Sequence, residues 1–99
     1  MARYDVFVMP GTSDLLLDVQ SSVLRDLATR AVIPLVLNTQ SFLPASKLNP
    51  IFHIGDNSYV MMTHFVTSVP ARDLRNRLTN LERDQYRISL ALDMPLFGF

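Results

Sequence analysis

The sequence predicts an α+β protein that is mainly β, with short antiparallel strands first and a single helix last. Three observations carry this. Apolar residues recur with a period of two near the N-terminus, Gly55-Asp56-Asn57 separates two β-rich runs, and beyond Ala71 the apolar spacing changes to steps of four and three. A chain of 99 residues is expected to form one domain spanning residues 1–99, because a core of this size buries roughly two-thirds of what the unfolded chain exposes.

In chain order, Tyr4, Val6 and Val8 alternate with Asp5, Phe7 and Met9 as a first strand, and Pro10 to Asp14 supplies the turn that ends it. Leu15 to Val19 reads as the returning strand. Ala31 to Leu37 is β-branched and apolar but contains Pro34, whose missing N–H suits an edge position or a bulge rather than a central strand. An edge there would invite a partner chain. Asn38 to Pro50 is polar and punctuated by Pro44 and Pro50, which predicts a loop with a short helical turn. Ile51 to Ile54 and Ser58 to Thr63 flank Gly55-Asp56-Asn57, whose glycine and Asx residues meet the positive-φ demand of a hairpin turn. Phe65 to Val69 is expected to prolong the last strand until Pro70 stops ladder donation.

Leu74, Leu78 and Leu81, then Ile88 and Leu92, fall on one helical stripe, so the last third reads as helical. Thr79 and Glu82 form a T-x-x-E capping box that starts the main helix near Asn80. Pro95 disfavours helical geometry in the residue before it, which places the helix end near Asp93 or Met94.

Composition excludes several classes of function. Nine basic residues balance nine acidic ones, so no long-range field gathers nucleic acid or an anionic membrane surface, and direct nucleic-acid binding by the chain alone is not expected. The arginines at 72, 75, 77, 83 and 87 are interleaved with Asp73, Glu82, Asp84 and Asp93, the pattern of a solvated helix face. There is no cysteine, which rules out a disulfide framework, a thiol nucleophile and a thiolate zinc site. No basic stretch precedes an apolar run at the N-terminus, and the longest apolar runs fall far short of the ~18 residues that span a bilayer; a cytoplasmic protein without membrane contact is expected. Hydrophobic residues make up 48% and charged residues 18% of the chain, and this apolar excess points to an interface.

Few residues could carry chemistry. His53 and His64 sit in apolar strand readings without a sequence-near carboxylate or thiol partner, so both read as structural. Asp5, Asp14, Asp18 and Asp56 lie at strand ends or turns, where hydrogen bonding to backbone is the ordinary role. Met61, Met62 and the phenylalanines read as core. No phosphate loop, nucleophile elbow or zinc-binding H-E-x-x-H occurs, and neither catalysis nor a metal or other cofactor is expected. An endoribonuclease would need a basic groove and a positioned acid–base pair, and neither is evident. The C-terminus departs from the usual polar chain end: Pro95-Leu96-Phe97-Gly98-Phe99 offers large apolar anchors that dock either on the protein's own core or on a partner.

Asp18-Val19-Gln20-Ser21, Val32-Ile33-Pro34-Leu35, His53-Ile54-Gly55-Asp56, Met61-Met62-Thr63 and Ser68-Val69-Pro70 follow one another as in the CcdB family, which the chain resembles over essentially its whole length. Each string is weak alone, and their order and spacing make the combination specific. The resemblance implies a small antiparallel sheet of SH3-like barrel character with one C-terminal helix, assembled as a homodimer. It further implies a toxin of a bacterial toxin–antitoxin system, not an enzyme, that binds the A subunit of DNA gyrase and traps the gyrase–cleaved DNA complex. A CcdA-like antitoxin would neutralise it by folding a disordered segment upon it, and the pair would repress transcription of their operon.

The family ends in tryptophan, glycine and isoleucine, to which Phe97, Gly98 and Phe99 correspond here. Phe97 loses the indole N–H and Phe99 is bulkier than isoleucine. Asp93 stands where the family has asparagine, and Pro95 is expected to end the helix earlier than in relatives. Val23 and Leu24 take the place of a pair of isoleucines near the same surface. The expected gyrase-binding set is therefore Val23, Leu24, Asp93, Leu96, Phe97, Gly98 and Phe99. No antitoxin-binding residue follows, because the Pro10–Asp14 turn and the Asn38–Asn49 loop differ from the family. The departures leave an alternative: a homologue of the same fold with weakened or lost gyrase poisoning that binds its antitoxin or another partner.

Overall fold

The computed structural model describes residues 2–21, 27–38 and 49–96, with side chains to residue 93. Its strands are β1 (Asp5–Val8), β2 (Leu15–Asp18), β3 (Thr29–Leu37), β4 (Ile51–Ile54), β5 (Asn57–Met61), β6 (Thr67–Pro70) and β7 (Arg77–Asn80), and the helix α1 spans Gln85–Leu96. All strand pairs are antiparallel, in the order β4-β5-β3-β2-β1-β7, with β6 added beside β3. The result is a curled, half-barrel sheet with one C-terminal helix, as expected.

Alternation along the strands divides the core between two faces. Val6, Leu15, Leu17, Ile33, Leu35, Phe52, Tyr59 and Met61 gather on the face covered by Ile88 and Ala91 of α1, together with Leu81. Phe7, Leu16, Val32 and Leu74 pack on the other face, with Met9 and Val69 against them. Phe7 and Phe52 are core residues as expected, whereas Phe65 is exposed on the turn after β5.

The position of Pro34 corrects the expectation of an edge strand or a bulge. Strand β3 is central: β2 pairs with one side, and β6 and then β5 pair with the other. Pro34 faces the junction of β6 and β5, because its carbonyl accepts the Met62 N–H at 3.0 Å and backbone groups of one strand residue point the same way. The missing N–H thus falls where the outer partner changes. The Met62 carbonyl, which a residue-34 N–H would otherwise reach, instead accepts the Phe65 N–H at 2.9 Å and opens the 3₁₀ turn Thr63–Phe65. That turn also corrects the expected continuation of β5: residues 67–70 form the separate strand β6, which returns to pair with the start of β3.

The reading of helix from Ala71 onward is overturned as well. A 3₁₀ turn at Ala71–Asp73 leads into β7, which pairs with β1 across a bulge between Val6 and Phe7. Pairing with β1 supplies a ladder and overrides the local spacing of Leu74, Leu78 and Leu81. Thr79 lies in β7, so the Thr79/Glu82 capping box does not form. Asn80 instead makes a local Asx turn: its Oδ1 accepts the Glu82 N–H at 2.7 Å, ahead of the 3₁₀ turn Glu82–Asp84 from which α1 starts at Gln85. At the other end α1 runs through Pro95 to Leu96. Pro95 forfeits the hydrogen bond to the Ala91 carbonyl and crowds that carbonyl, yet it sits one residue from the helix end, and the helix outlasts the expected stop at Asp93 or Met94.

The expected turn forms on Gly55 and Asp56 alone, since Asn57 already belongs to β5 and pairs with Ile54, and the positive φ expected of the Asx residues is not adopted. Gly55 has φ +63°, and Asp56 is not in the positive-φ region, the type II′ pattern that fits the twist of a two-residue hairpin. The loop and helical turn expected within Asn38–Pro50 fall, over residues 39–48, outside the described residues.

Candidate functional site

Of the residues that the sequence reading expects at a partner surface, Asp93 is exposed on the last turns of α1, and Leu96 is the final helical residue. Phe97, Gly98 and Phe99 follow that helix end in sequence and, like Val23 and Leu24, lie outside the described residues. Whether the apolar tail docks on the protein's own core therefore also falls outside them. Asp93 is unfavourably placed for the helix itself, since no basic residue occupies the last turn and a carboxylate there opposes the negative end of the helix dipole.

Of the four acidic residues expected to bond to backbone, Asp5, Asp14 and Asp18 do so and Asp56, among the described residues, does not, and Asp5 and Asp18 do more. Asp14 Oδ1 accepts the Leu37 N–H at 3.1 Å, joining the first turn to the end of β3. Asp18 Oδ1 accepts the Gln20 N–H at 3.0 Å, while its Oδ2 receives Arg30 Nε at 2.7 Å. Gln20 Oε1 accepts the Ala31 N–H at 3.0 Å, so the network stitches β2 to β3 beyond the end of their ladder. Nothing in the sequence singled out Arg30; its partner is twelve residues away and only the pairing of β2 with β3 brings them together.

Asp5 anchors the N-terminal segment. Its Oδ2 accepts the Ala2 N–H at 2.9 Å, and its Oδ1 accepts Asn80 Nδ2 and Arg77 Nε, both at 2.9 Å. Burial pushes the carboxyl pKa upward, but the Asn80 amide, the Ala2 N–H and the Arg77 guanidinium together outweigh that and hold it below the usual carboxylate value. Asn80 also donates to the Arg3 carbonyl at 3.1 Å, which supports Tyr4 in a left-handed conformation, φ +74°, unusual for a bulky residue. Arg3 in turn lies 4.9 Å from the Tyr4 ring centre.

Where the helix begins, Arg87 ties it to the sheet. Its Nη2 donates to the Ile51 carbonyl at 2.7 Å, its guanidinium lies 4.7 Å from the Phe52 ring centre, and its Nη1 stands 3.5 Å from Asp84. The arginines are therefore not one helix face: Arg72 lies on a 3₁₀ turn, Arg77 on β7 and Arg87 on α1.

His53 is exposed on the edge strand β4, and His64 is exposed on the Thr63–Phe65 turn rather than in a strand. Among the described residues no three His, Asp or Glu side chains converge as a metal site would require, and no helix is long and apolar enough to cross a membrane. Two surface cavities stand out. One, about 380 Å³, lies over Leu16, Val69 and Leu74 beside the Pro10 turn. The other, about 530 Å³, opens between the β4–β5 hairpin and β7 and is lined by His53, Tyr59, Leu78, Leu81 and Arg83 among others. Large apolar side chains also remain exposed at Leu27, Phe65, Val66 and Tyr86.

Comparison with protein families finds one whose model, described as CcdB protein, matches residues 3–98 of the chain.

Proposed function

Because the chain belongs to the CcdB family and is thus the toxin of a toxin–antitoxin pair, we propose that its target is the A subunit of DNA gyrase, which it traps together with cleaved DNA. The observation that carries this reading is the family match over residues 3–98. Such a toxin needs no chemistry of its own. A ligand that binds the cleaved-DNA state of gyrase better than the others shifts the population toward it by its differential affinity.

The gyrase-contacting surface comprises Asp93, Leu96, Phe97, Gly98 and Phe99 with Val23 and Leu24. Continuation of α1 through Pro95 supports it, because the proline does not shorten the helix that leads into the tail. Aromatic side chains at 97 and 99 are of the kind that anchor binding hot spots. A CcdA-like antitoxin neutralises the toxin and joins it in repressing their operon, and action on gyrase places the protein in the cytoplasm. The active form is a homodimer, a reading supported by the apolar side chains left exposed at Leu27, Phe65 and Val66; light scattering showing a monomer at micromolar concentration would overturn it.

A second reading has its own observation. Phe97 and Phe99 stand where the family has tryptophan and isoleucine, so gyrase poisoning could be weakened or lost while antitoxin binding persists. Supercoiling and cleavage assays with gyrase from the protein's own source and from a distant bacterium separate the two. Trapped cleaved DNA with the cognate enzyme is the expected result, and it is lost when Leu96 to Phe99 are removed. No effect on either gyrase from a folded toxin would overturn gyrase poisoning; unchanged poisoning by the truncated chain would overturn the assigned surface.

A further inference from the structure

Helix α1 lies on the surface, yet the side it turns outward is not built for water. Along its whole length it contains two charged side chains, Arg87 and Asp93. Arg87 reaches back to the sheet, where it meets the Ile51 carbonyl and the Phe52 ring. Asp93 is thus the single charge on the outer side of the described part of the helix, whereas a solvated helix face ordinarily carries several.

What stands there instead is apolar. Helical spacing places Ile88, Ala91 and Leu92 on the side that packs against the sheet, and Tyr86, Leu90 and Asp93 in a line on the opposite side, at i, i+4 and i+7. Tyr86 is 77% exposed, the most exposed large hydrophobic side chain among the described residues. Leu90 is half-buried but packs with neither core cluster. The helix gains little from either: tyrosine is a poorer helix former than alanine or lysine, and a Tyr–Leu pair at this spacing gives only slight local support. Apolar residues exposed singly need no explanation. These two share one rigid face, which runs along the helix to Asp93 and on toward Leu96, where α1 ends and the apolar tail begins.

We propose that the gyrase-contacting surface continues back along the outer side of α1, with Tyr86 and Leu90 packing on an apolar patch of the same A subunit that takes the tail. The proposal rests on the reading of gyrase as the target and adds two residues to the surface assigned above. Size and continuity favour this occupant. The residues assigned so far are far fewer than the roughly 20–30 per side that a stable interface uses, so adjoining surface must take part. Tyr86 lies about 15 Å along the helix from Leu96, at about 1.5 Å per residue, within the span of an interface of about 800 Å² per partner. An aromatic and an aliphatic side chain on a fixed backbone are also suited to anchor a partner, because little conformational freedom is lost when they are covered.

The experiment measures binding of purified gyrase A subunit, and trapping of cleaved DNA by gyrase, for the full-length toxin and its variants Tyr86→Ala, Leu90→Ala and the double variant. Asn57→Ala, exposed on the β4–β5 hairpin, is the control. Alanine is the best helix former and both side chains lie off the core, so thermal melts and light scattering should match the parent. Expected is about tenfold or greater weakening of gyrase binding for each single variant and a further loss for the double variant, with antitoxin affinity and the control unchanged. Unaltered binding by the double variant, beside a parent that traps cleaved DNA, would overturn the extension of the surface and leave the target standing. A folded parent that binds no gyrase would overturn the target reading itself. Variants that lose antitoxin affinity or self-association instead would assign the outer side of α1 to those contacts and overturn the proposal.

Discussion

Asp18 and Arg30 form an ion pair of 2.7 Å in which neither side chain is more than 1% exposed. They sit on one face of neighbouring strands, Asp18 opposite Val32 and Arg30 two residues before Val32 on β3. The Gln20 N–H on the other carboxylate oxygen completes the satisfaction of Asp18. Removing one partner leaves a buried charge uncompensated, whereas removing both removes the desolvation cost along with the attraction.

Asp18→Ala or Arg30→Ala is therefore expected to destabilise the fold by about 3–5 kcal/mol. The joint replacement Asp18→Leu, Arg30→Met should recover most of that loss. Urea denaturation of the two single variants and the double variant measures it; single variants that melt like the parent would show that the pair is not stabilising.

Acid should loosen the N-terminal segment through Asp5. Its pKa is lowered in the folded chain, so the folded state binds the proton less readily than the unfolded state. The stabilisation is fully present above the unfolded value of about 3.9 and is lost as pH falls through the lower folded value. Asp5→Asn should lower stability at neutral pH and flatten this acid limb. Melting temperatures between pH 2 and pH 7, compared for the two proteins, provide the check, and parallel curves would count against Asp5.

Gly55→Ala tests the hairpin turn. A Cβ there meets nothing within 4 Å, so the only penalty is the φ of +63°. The expected cost is about 1–2 kcal/mol, from backbone strain rather than collision. A substitution without effect on stability would mean that the turn relaxes to another type.

Asp93→Asn should stabilise the fold by about 0.3–1 kcal/mol, because it removes a carboxylate from the negative end of α1. The gain should shrink at high salt. The same variant restores the family's asparagine, so a parallel rise in gyrase affinity would tie Asp93 to the proposed surface, and unchanged affinity would remove it from that surface.

The spacing of Leu74, Leu78 and Leu81 shows where local reading stops. Steps of four and three are helical in sequence, yet Leu74 enters the core on one face of the sheet, Leu81 enters the core under α1, and Leu78 remains half exposed on a bulge. The same segment contains Thr79 and Glu82, and pairing of β7 with β1 holds Thr79 in the strand, so Asn80 rather than Thr79 accepts the Glu82 N–H. The proposed gyrase surface shows the same limit. Its residues were legible only through resemblance, because contact with a partner leaves no period in the sequence.

What the sequence determined by itself is local. Alternation of Tyr4, Val6 and Val8 marked β1, the apolar runs on either side of the turns marked β2 and the β4–β5 hairpin, and Gly55 supplied the positive φ that the hairpin requires. Tertiary structure decided which strands lie beside one another. It placed Pro34 in a central strand at the junction of two partners and brought Arg30 to Asp18. The physical reason is that side-chain periodicity follows from neighbours in the chain, whereas the destination of each outward backbone group depends on strands that arrive from far along it.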